Sequence, residues 1–287
     1  MKAAIIGVGV MGSAIASRLL DVGVQLQVFD PVPGKAEPLV ERGATAAASP
    51  GEATAGAEFV ITSLNNANTV EQAVFGEEGI ALAANPDKVL IDMSSIDPRR
   101  TAGMAARLLE QTGMGWVDAP LSGGAPAALA GTLTLMIGGD EQHVQHALPL
   151  LDYLSRNRTH MGPSGAGQTV KLINQILCAN YFMAVTEAVR FAEDNGVDAT
   201  RIPAALAGGR ADSRILQEYM AKMARRDFTP TGRIDNMLKD LETIEVASVT
   251  QLPVTDRIAE LHRMLVTVGL GASDSAEYIK LFDIMPS

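Results

Sequence analysis

The 287-residue chain is 47% hydrophobic and has a formal net charge of −10, from 23 basic and 33 acidic residues. This length favours two domains, and the acidic balance argues against a nucleic-acid partner because no run of Lys or Arg offsets it. Apolar stretches are broken before the roughly 18 positions that cross a bilayer, so we expect no membrane partner. The single cysteine, Cys178, excludes an internal disulfide, which favours a cytoplasmic location.

Short β-branched segments alternate with Ala-rich helical segments from Lys2 to about Gly162, which is typical of a parallel sheet with crossover helices. The predicted strands are Ala3–Gly7, Gln25–Phe29, Phe59–Leu64, Lys88–Met93, Gly115–Asp118 and Thr132–Gly138. Beyond Gly162 the pattern changes to helices of period 3.6 separated by Gly and Pro. We therefore predict an α/β chain, with a doubly wound parallel sheet in residues 1–162 and an all-α domain in residues 163–287.

The first predicted strand runs into Gly7-Val8-Gly9-Val10-Met11-Gly12, and a helical segment follows. A G-x-G-x-x-G sequence between a strand and a helix indicates a Rossmann dinucleotide-binding domain, because its glycines permit a tight turn and close approach to a pyrophosphate. Asp30 ends the second strand, where an acidic side chain favours NAD; Lys35 nearby leaves NADP open. The alternative is a glycine-rich turn that binds nothing. The predicted cofactor-binding residues around this loop are Gly7, Gly9, Val10, Met11, Gly12, Asp30, Leu64 and Asn65.

Two later strands end in polar loops, at the edge of the sheet where α/β proteins bind ligands. Ser94-Ser95 follows one of these strands, and N-capping of the next helix is the competing interpretation. Ser122-Gly123-Gly124 follows another. Consecutive backbone amides with a hydroxyl can hold a carboxylate, although a flexible loop explains the same residues.

One long interdomain helix is predicted from about Gly167 to Asp194, where the sequence contains no proline and no internal glycine. Its middle is apolar on nearly every face, which predicts that it lies in a core or a subunit interface. Lys171, Asn174 and Gln175 share one face near its start. A lysine there can exchange a proton with a carbonyl oxygen, although a surface lysine is the alternative.

Together with these motifs, three further segments carry a family resemblance: Asp118-Ala119-Pro120-Leu121 before Ser122, Gly131-Thr132-Leu133 and Lys239-Asp240-Leu241. In this order the set resembles the β-hydroxyacid dehydrogenase family, which includes 3-hydroxyisobutyrate dehydrogenase and 2-hydroxy-3-oxopropionate (tartronate semialdehyde) reductase. The resemblance implies NAD(P)-linked oxidation of a small 3-hydroxy acid and a homodimer or homotetramer built on the helical domain.

The resemblance also implies residue roles. It makes Lys171 the catalytic acid/base, and it makes Asn174 and Gln175 residues that orient the substrate. The carboxylate of the substrate is assigned to Ser122, Gly123 and Gly124. Ser95 and Lys239 are assigned to the nicotinamide end of the cofactor, although an ion pair of Lys239 with Asp235 at i−4 would also explain that lysine.

Arg210 departs from the small residues that the family typically has at that position. If Arg210 or the nearby Arg214 binds a second acidic or hydroxylated group, the substrate is a polar hydroxy acid rather than a branched aliphatic one. The alternative is that these arginines simply face solvent, which is the commoner environment of arginine. No metal site is predicted, because His143 and His146 have no third ligand cluster nearby in sequence. Imine reduction on the same architecture and a non-catalytic NAD-binding module are the alternatives.

Overall fold

The computed structural model describes residues 1–284 of the chain. These residues divide into two compact units, the first Met1–Lys171 and the second beginning at Leu172. The first unit is an α/β unit and the second is all-α, so the predicted fold class is confirmed. A single helix of 29 residues, Ala166–Asp194, begins in the first unit and continues into the second.

The sheet of the first unit is mixed and mostly parallel. Its strands are β1 Lys2–Ile6, β2 Gln25–Phe29, β3 Thr45–Ala46, β4 Phe59–Thr62, β5 Val89–Asp92, β6 Gly115–Asp118, β7 Leu121–Ser122, β8 Leu133–Gly139 and β9 Ser155–Gly162. They lie in the order β3-β2-β1-β4-β5-β6-β8-β7, with β9 paired to β8. Strands β1 to β6 run parallel to one another. Strand β8 is antiparallel to β6 and β7 and parallel to β9.

Helices cover both faces of this sheet, as a doubly wound fold requires. They are α1 Val10–Asp21, α2 Glu37–Val40, α3 Pro50–Ala55, α4 Ala67–Phe75, α5 Pro98–Thr112, α6 Gly124–Ala130 and α7 Glu141–Leu151, with a 3₁₀ turn at Ile80–Ala83. Successive side chains of a strand point to opposite faces, so Ile5 packs in one hydrophobic core and Ile6 in the other. Trp116 of β6 lies in the same core as Ile6 and is only 2% exposed.

Three strands were not predicted from the sequence. Strands β3 and β7 have two residues each, too few for a visible alternation. The side chains of β9 are almost all exposed, so this strand lacks the apolar pattern by which the other strands were recognised.

The second unit consists of helices packed around one hydrophobic core. After α8 (Ala166–Asp194) come α9 Ile202–Leu206, α10 Arg214–Arg225, α11 Ile234–Ala247, α12 Pro253–Leu265 and α13 Leu281–Ile284, with 3₁₀ turns at Ala199–Arg201 and Ser275–Lys280 and a π-helical turn at Val266–Leu270. Buried polar groups are paired inside this core. His262 bonds to the Ile258 carbonyl and the Tyr278 hydroxyl, at 2.8 and 2.9 Å, and burial lowers its pKa to about 4.

Helix α8 is long and apolar enough to cross a membrane by length and composition alone, a test that the core helix of a soluble protein also passes. Some of its residues lie in the core of the second unit, such as Ala179 and Val189. Others are exposed apolar side chains, including Leu177 at 50% and Phe191 at 72%. The single chain therefore does not enclose this helix on all sides. The sequence predicted a core or a subunit interface for the helix, and the exposed apolar residues are candidates for the interface.

Candidate active site

The glycine loop between β1 and α1 leaves room for a ligand to approach its backbone. Gly7 has φ of 92°, and a Cβ there would lie 2.6 Å from the Ser63 carbonyl oxygen. A Cβ on Gly12 would lie 1.9 Å from the Gly7 oxygen, so the helix packs directly on the loop. Gly9 has nothing within 4 Å of its Cβ position, and Val10 beside it is exposed. The loop thus has the close packing and the open side that a pyrophosphate needs.

Asp30 lies at the end of β2, beside this loop. Its carboxylate accepts hydrogen bonds from the Val8 and Val32 amides, each at 3.0 Å, which fixes its orientation. A cavity of about 800 Å³ opens nearby, lined by Ile6, Phe29, Pro31, Leu64, Thr69 and neighbouring residues. Asn65 is exposed next to Leu64, and Lys35 is exposed beyond Asp30. The loop, the acid and the cavity together suit the adenosine half of a dinucleotide.

The loop after β5 is held by buried polar groups. Asp92 Oδ1 accepts hydrogen bonds from the Thr62 hydroxyl at 2.9 Å and the Ser94 amide at 3.0 Å. The Ser94 hydroxyl accepts one from the Leu64 amide at 3.0 Å. Burial raises the pKa of Asp92 to about 6, against the opposing effect of its hydrogen bonds. Asp97, rather than Ser94 or Ser95, caps the helix that follows.

Ser122 and the two glycines after it have a defined conformation. Ser122 belongs to β7, which pairs with β8, and helix α6 begins at Gly124. Gly123 and Gly124 have φ of 123° and 66°, values that L side chains rarely adopt. Both glycines are exposed, so their backbone amides can reach a ligand. The structure therefore favours an ordered backbone turn over a flexible loop.

Asp118, the last residue of β6, was not predicted as a site residue. Its buried carboxylate accepts hydrogen bonds from the Gly165 amide at 2.8 Å and the Gln168 amide at 3.0 Å, so it caps the first turn of α8. Burial raises its pKa, and the amides of that turn oppose the shift. The only sequence signal was its position at the head of the Asp118–Gly124 segment.

Gln168 was also missed. Its side chain is fully buried, accepts a hydrogen bond from the Ile96 amide at 3.1 Å and donates one to the Ser94 carbonyl at 2.9 Å. Lys171, three residues further along the same helix, is half-buried. The first turn of α8 is thus bonded to the Ser94–Ile96 segment by Gln168 and to the end of β6 by Asp118.

In the second unit, Asp240 connects three predicted residues. Asn174 Nδ2 donates to Gln175 Oε1 at 2.8 Å, and Gln175 Nε2 donates to Asp240 Oδ2 at 2.5 Å. Lys239 Nζ lies 3.1 Å from Asp240 Oδ1. Asp235, the alternative partner of Lys239, pairs with Arg233.

Within residues 1–284, no hydrogen bond or ion pair joins Arg210 to another predicted site residue. Arg210 lies exposed in the turn between α9 and α10. Arg214, the second candidate anchor, forms an ion pair with Glu218 at 2.6 Å. Arg210 is therefore the better candidate of the two for a ligand contact.

Two family models together match nearly the whole chain. The model for the NAD-binding domain of 6-phosphogluconate dehydrogenase matches residues 2–162. A second model, described as NAD-binding of NADP-dependent 3-hydroxyisobutyrate dehydrogenase, matches residues 165–282.

Individual proteins are similar over the same extent. The chain is 36% identical to 2-hydroxy-3-oxopropionate reductase of Escherichia coli, over 99% of this chain and 98% of that protein. It is 34% identical to NAD-dependent L-serine dehydrogenase of Pseudomonas aeruginosa, over 98% and 97%. A structure of 3-hydroxyisobutyrate dehydrogenase from Mycobacterium tuberculosis with L-serine aligns with a TM-score of 0.89 at 27% identity, covering 98% of both chains.

Proposed function

Because this chain belongs to the β-hydroxyacid dehydrogenase family, and is thus an NAD(P)-dependent dehydrogenase of small hydroxy acids, we propose that it oxidises a small polar 3-hydroxy acid with NAD. In this proposal Lys171 is the group that exchanges the proton, and Ser122, Gly123 and Gly124 bind the substrate carboxylate.

The observation that carries this proposal is where the first unit places its polar segments. The glycine loop, the Ser94–Ile96 segment and the loop leading to Ser122 follow β1, β5 and β6, which run parallel and end at one edge of the sheet. The helix that carries Lys171 begins at the same edge, because Asp118 caps it. A ligand bound at this edge can therefore meet all four segments.

The reaction assigns a defined task to each residue. The bound nicotinamide supplies the acceptor for the hydride that leaves the hydroxyl-bearing carbon. Lys171, in its neutral form, takes the hydroxyl proton as the carbonyl forms, and its ammonium returns that proton in the reverse direction. The Ser122 hydroxyl and the amides of Gly123 and Gly124 hold the substrate carboxylate. In this proposal Asn174 and Gln175, on the same helix as Lys171, orient the substrate, and Lys239 and Ser95 are assigned to the nicotinamide end of the cofactor.

A polar substrate is supported by the names of the relatives and by Arg210. One relative acts on 2-hydroxy-3-oxopropionate and another on L-serine, both small and polar. The exposed guanidinium of Arg210 is suited to a second acidic or hydroxylated group of the substrate.

NAD is favoured over NADP by Asp30. Its carboxylate is held beside the glycine loop by the Val8 amide, where it can accept hydrogen bonds from ribose hydroxyls and repels a 2′-phosphate. The exposed Lys35 nearby would weaken this repulsion, so the assay below compares both cofactors.

The test is an assay of a panel of 3-hydroxy acids with NAD and with NADP. We expect the highest kcat/KM with NAD and a polar substrate such as glycerate or a sugar acid. We expect Arg210→Ala to lower kcat/KM for that substrate by about tenfold, the order of magnitude of one lost charged contact. A preference for 3-hydroxyisobutyrate, with Arg210→Ala unchanged in kcat/KM, would contradict the proposed substrate class.

A further inference from the structure

The start of α8 is held by a carboxylate that lies far away in the sequence. A helix begins with amide groups that have no partner within the helix, and these amides carry a partial positive charge. Asp118 satisfies the amides of Gly165 and Gln168 with its two oxygens, at 2.8 and 3.0 Å. The residue is fully buried, so no water competes for these bonds. Asp118 thereby fixes the beginning of α8 to the end of β6.

Three glycines bring this helix turn against the sheet. A Cβ on Gly167 would lie 2.4 Å from the Met136 carbonyl oxygen, and one on Gly138 would lie 2.6 Å from both carboxylate oxygens of Asp118. Gly165 has φ of 93°, and its Cβ position lies 2.5 Å from the Pro98 carbonyl oxygen. The turn is therefore in backbone contact on two sides and cannot slide along the sheet without a clash.

Gln168 attaches the same turn to a third segment. Its amide group bonds to the Ser94 carbonyl and to the Ile96 amide, the two backbone groups that flank Ser95. Replacing it would leave both of these buried groups without their partner, which structures avoid. The side chain thus fixes the rotation of the first turn about the helix axis relative to the Ser95 backbone.

Lys171 lies three residues beyond Gln168, on the same side of the helix. From these contacts we infer that Asp118 and Gln168 are positioning residues: together they hold Lys171 in register with Ser95 and with the Ser122–Gly124 turn. This inference rests on the acid/base role proposed above for Lys171. Asp118 is well placed for this task, because the same loop that it begins also presents Ser122.

The first test replaces Gln168 by Met, which keeps the length of the side chain and removes both hydrogen bonds. We expect kcat to fall by about 10- to 100-fold, since a displacement of about 1 Å in a reacting group costs that much. The dissociation constant of NAD, measured by calorimetry, stays within about threefold, because the glycine loop and Asp30 are untouched. Thr169→Ala is the matched control: this exposed residue of the same turn contacts neither loop, and its kcat remains at the wild-type value.

The deciding measurement repeats Gln168→Met in a Lys171→Ala background, under single-turnover conditions. If Gln168 acts through Lys171, its loss costs less than about threefold once the lysine is gone. Equal fold losses in the two backgrounds would overturn the inference, as would full kcat in Gln168→Met alone. Lys171→Ala with wild-type turnover would instead reject the proposed role of the lysine, and the two failures are thus distinguishable.

If Gln168→Met does not fold, Asp118→Asn provides a second, independent double-mutant cycle with Lys171→Ala. Folding of each variant is monitored by the fluorescence of Trp116 in the same unit. The oxygen of the introduced side-chain amide still accepts a hydrogen bond from one backbone N–H of α8. Its NH₂ group faces the other backbone N–H, so that second hydrogen bond is lost. We expect the same pattern: a fall in kcat of about tenfold or more that disappears in the Lys171→Ala background. Additive losses here would overturn the inference equally.

Discussion

Among single residues, Asp92 makes the stability of the first unit depend on pH, because its carboxyl group is buried. Its pKa is raised to about 6, mainly by burial, above the ordinary value of 3.8. The folded state therefore holds the proton more tightly than the unfolded chain does. The stabilisation from this group is complete below pH 3.8 and is lost as the pH rises through about 6, by about 3 kcal/mol in total.

Asp92→Asn should remove this pH dependence, because Asn keeps an oxygen for Thr62 and for the Ser94 amide but does not ionise. Between pH 5 and pH 8 the free energy of unfolding of the variant should gain about 1 kcal/mol relative to the wild type. Urea unfolding followed by Trp116 fluorescence measures this in the first unit. A constant difference between Asp92→Asn and wild type at both pH values would contradict the prediction.

Residues with a local signal were predictable, and residues that act across the sheet were not. The spacing of Gly7, Gly9 and Gly12 predicts the glycine loop after β1. The structure gives each glycine the backbone environment expected of that loop. Asp118 and Gln168 bond to groups about 50 to 74 positions away in the chain. Neither periodicity nor local spacing in the sequence indicates contacts over such a separation. Both residues were therefore identified only from the structure.

At the scale of elements, the first turn of α8 depends on its glycines. Gly167→Ala would place a methyl group 2.4 Å from the Met136 oxygen and 2.8 Å from Asp118, so the turn must shift. We expect the first unit to lose about 1–3 kcal/mol of stability. The same substitution at Gly103, a glycine of α5 with nothing within 4 Å, should instead stabilise by about 0.5–1 kcal/mol. Urea unfolding by Trp116 fluorescence compares the two variants, and equal effects would contradict this account of the turn.

Elements with strong periodicity were predicted well, and elements set by pairing alone were not. The predicted helix to Asp194 differs from α8 by one residue at its start. Strands β2 and β6 have the predicted bounds. By contrast, β9 follows from its pairing with β8, and its exposed side chains carry no alternation. The antiparallel direction of β8 likewise depends on its partners in the sheet rather than on its own sequence.

At the scale of the whole molecule, the second unit exposes an apolar surface that predicts self-association. An apolar cavity of about 420 Å³ is lined by Tyr181, Phe191, Leu206 and other residues. Phe191 is 72% exposed. Clusters of large exposed apolar side chains on a protein surface are normally covered by a binding partner. We therefore expect a homodimer or homotetramer formed through this surface, as the family resemblance implied.

Light scattering of the protein as it elutes from a size-exclusion column tests whether it is a homodimer or homotetramer. Phe191→Asp should shift the mass toward the 30.2 kDa of one chain. Leu82→Asp, a similarly exposed apolar position in the first unit at 71%, should leave the mass of the assembly unchanged. A wild-type protein that elutes as a monomer at micromolar concentration would contradict the prediction.

The proposed function depends on Lys171, which we propose exchanges the proton of a hydroxy acid at the edge of the sheet assigned to the dinucleotide. The most direct measurement compares Lys171→Ala with wild type, in kcat on the best substrate of the panel and in NAD affinity by calorimetry. We expect a loss of about 10³-fold or more in kcat, with NAD affinity unchanged within about threefold. Turnover in Lys171→Ala within about tenfold of wild type would contradict this proposal.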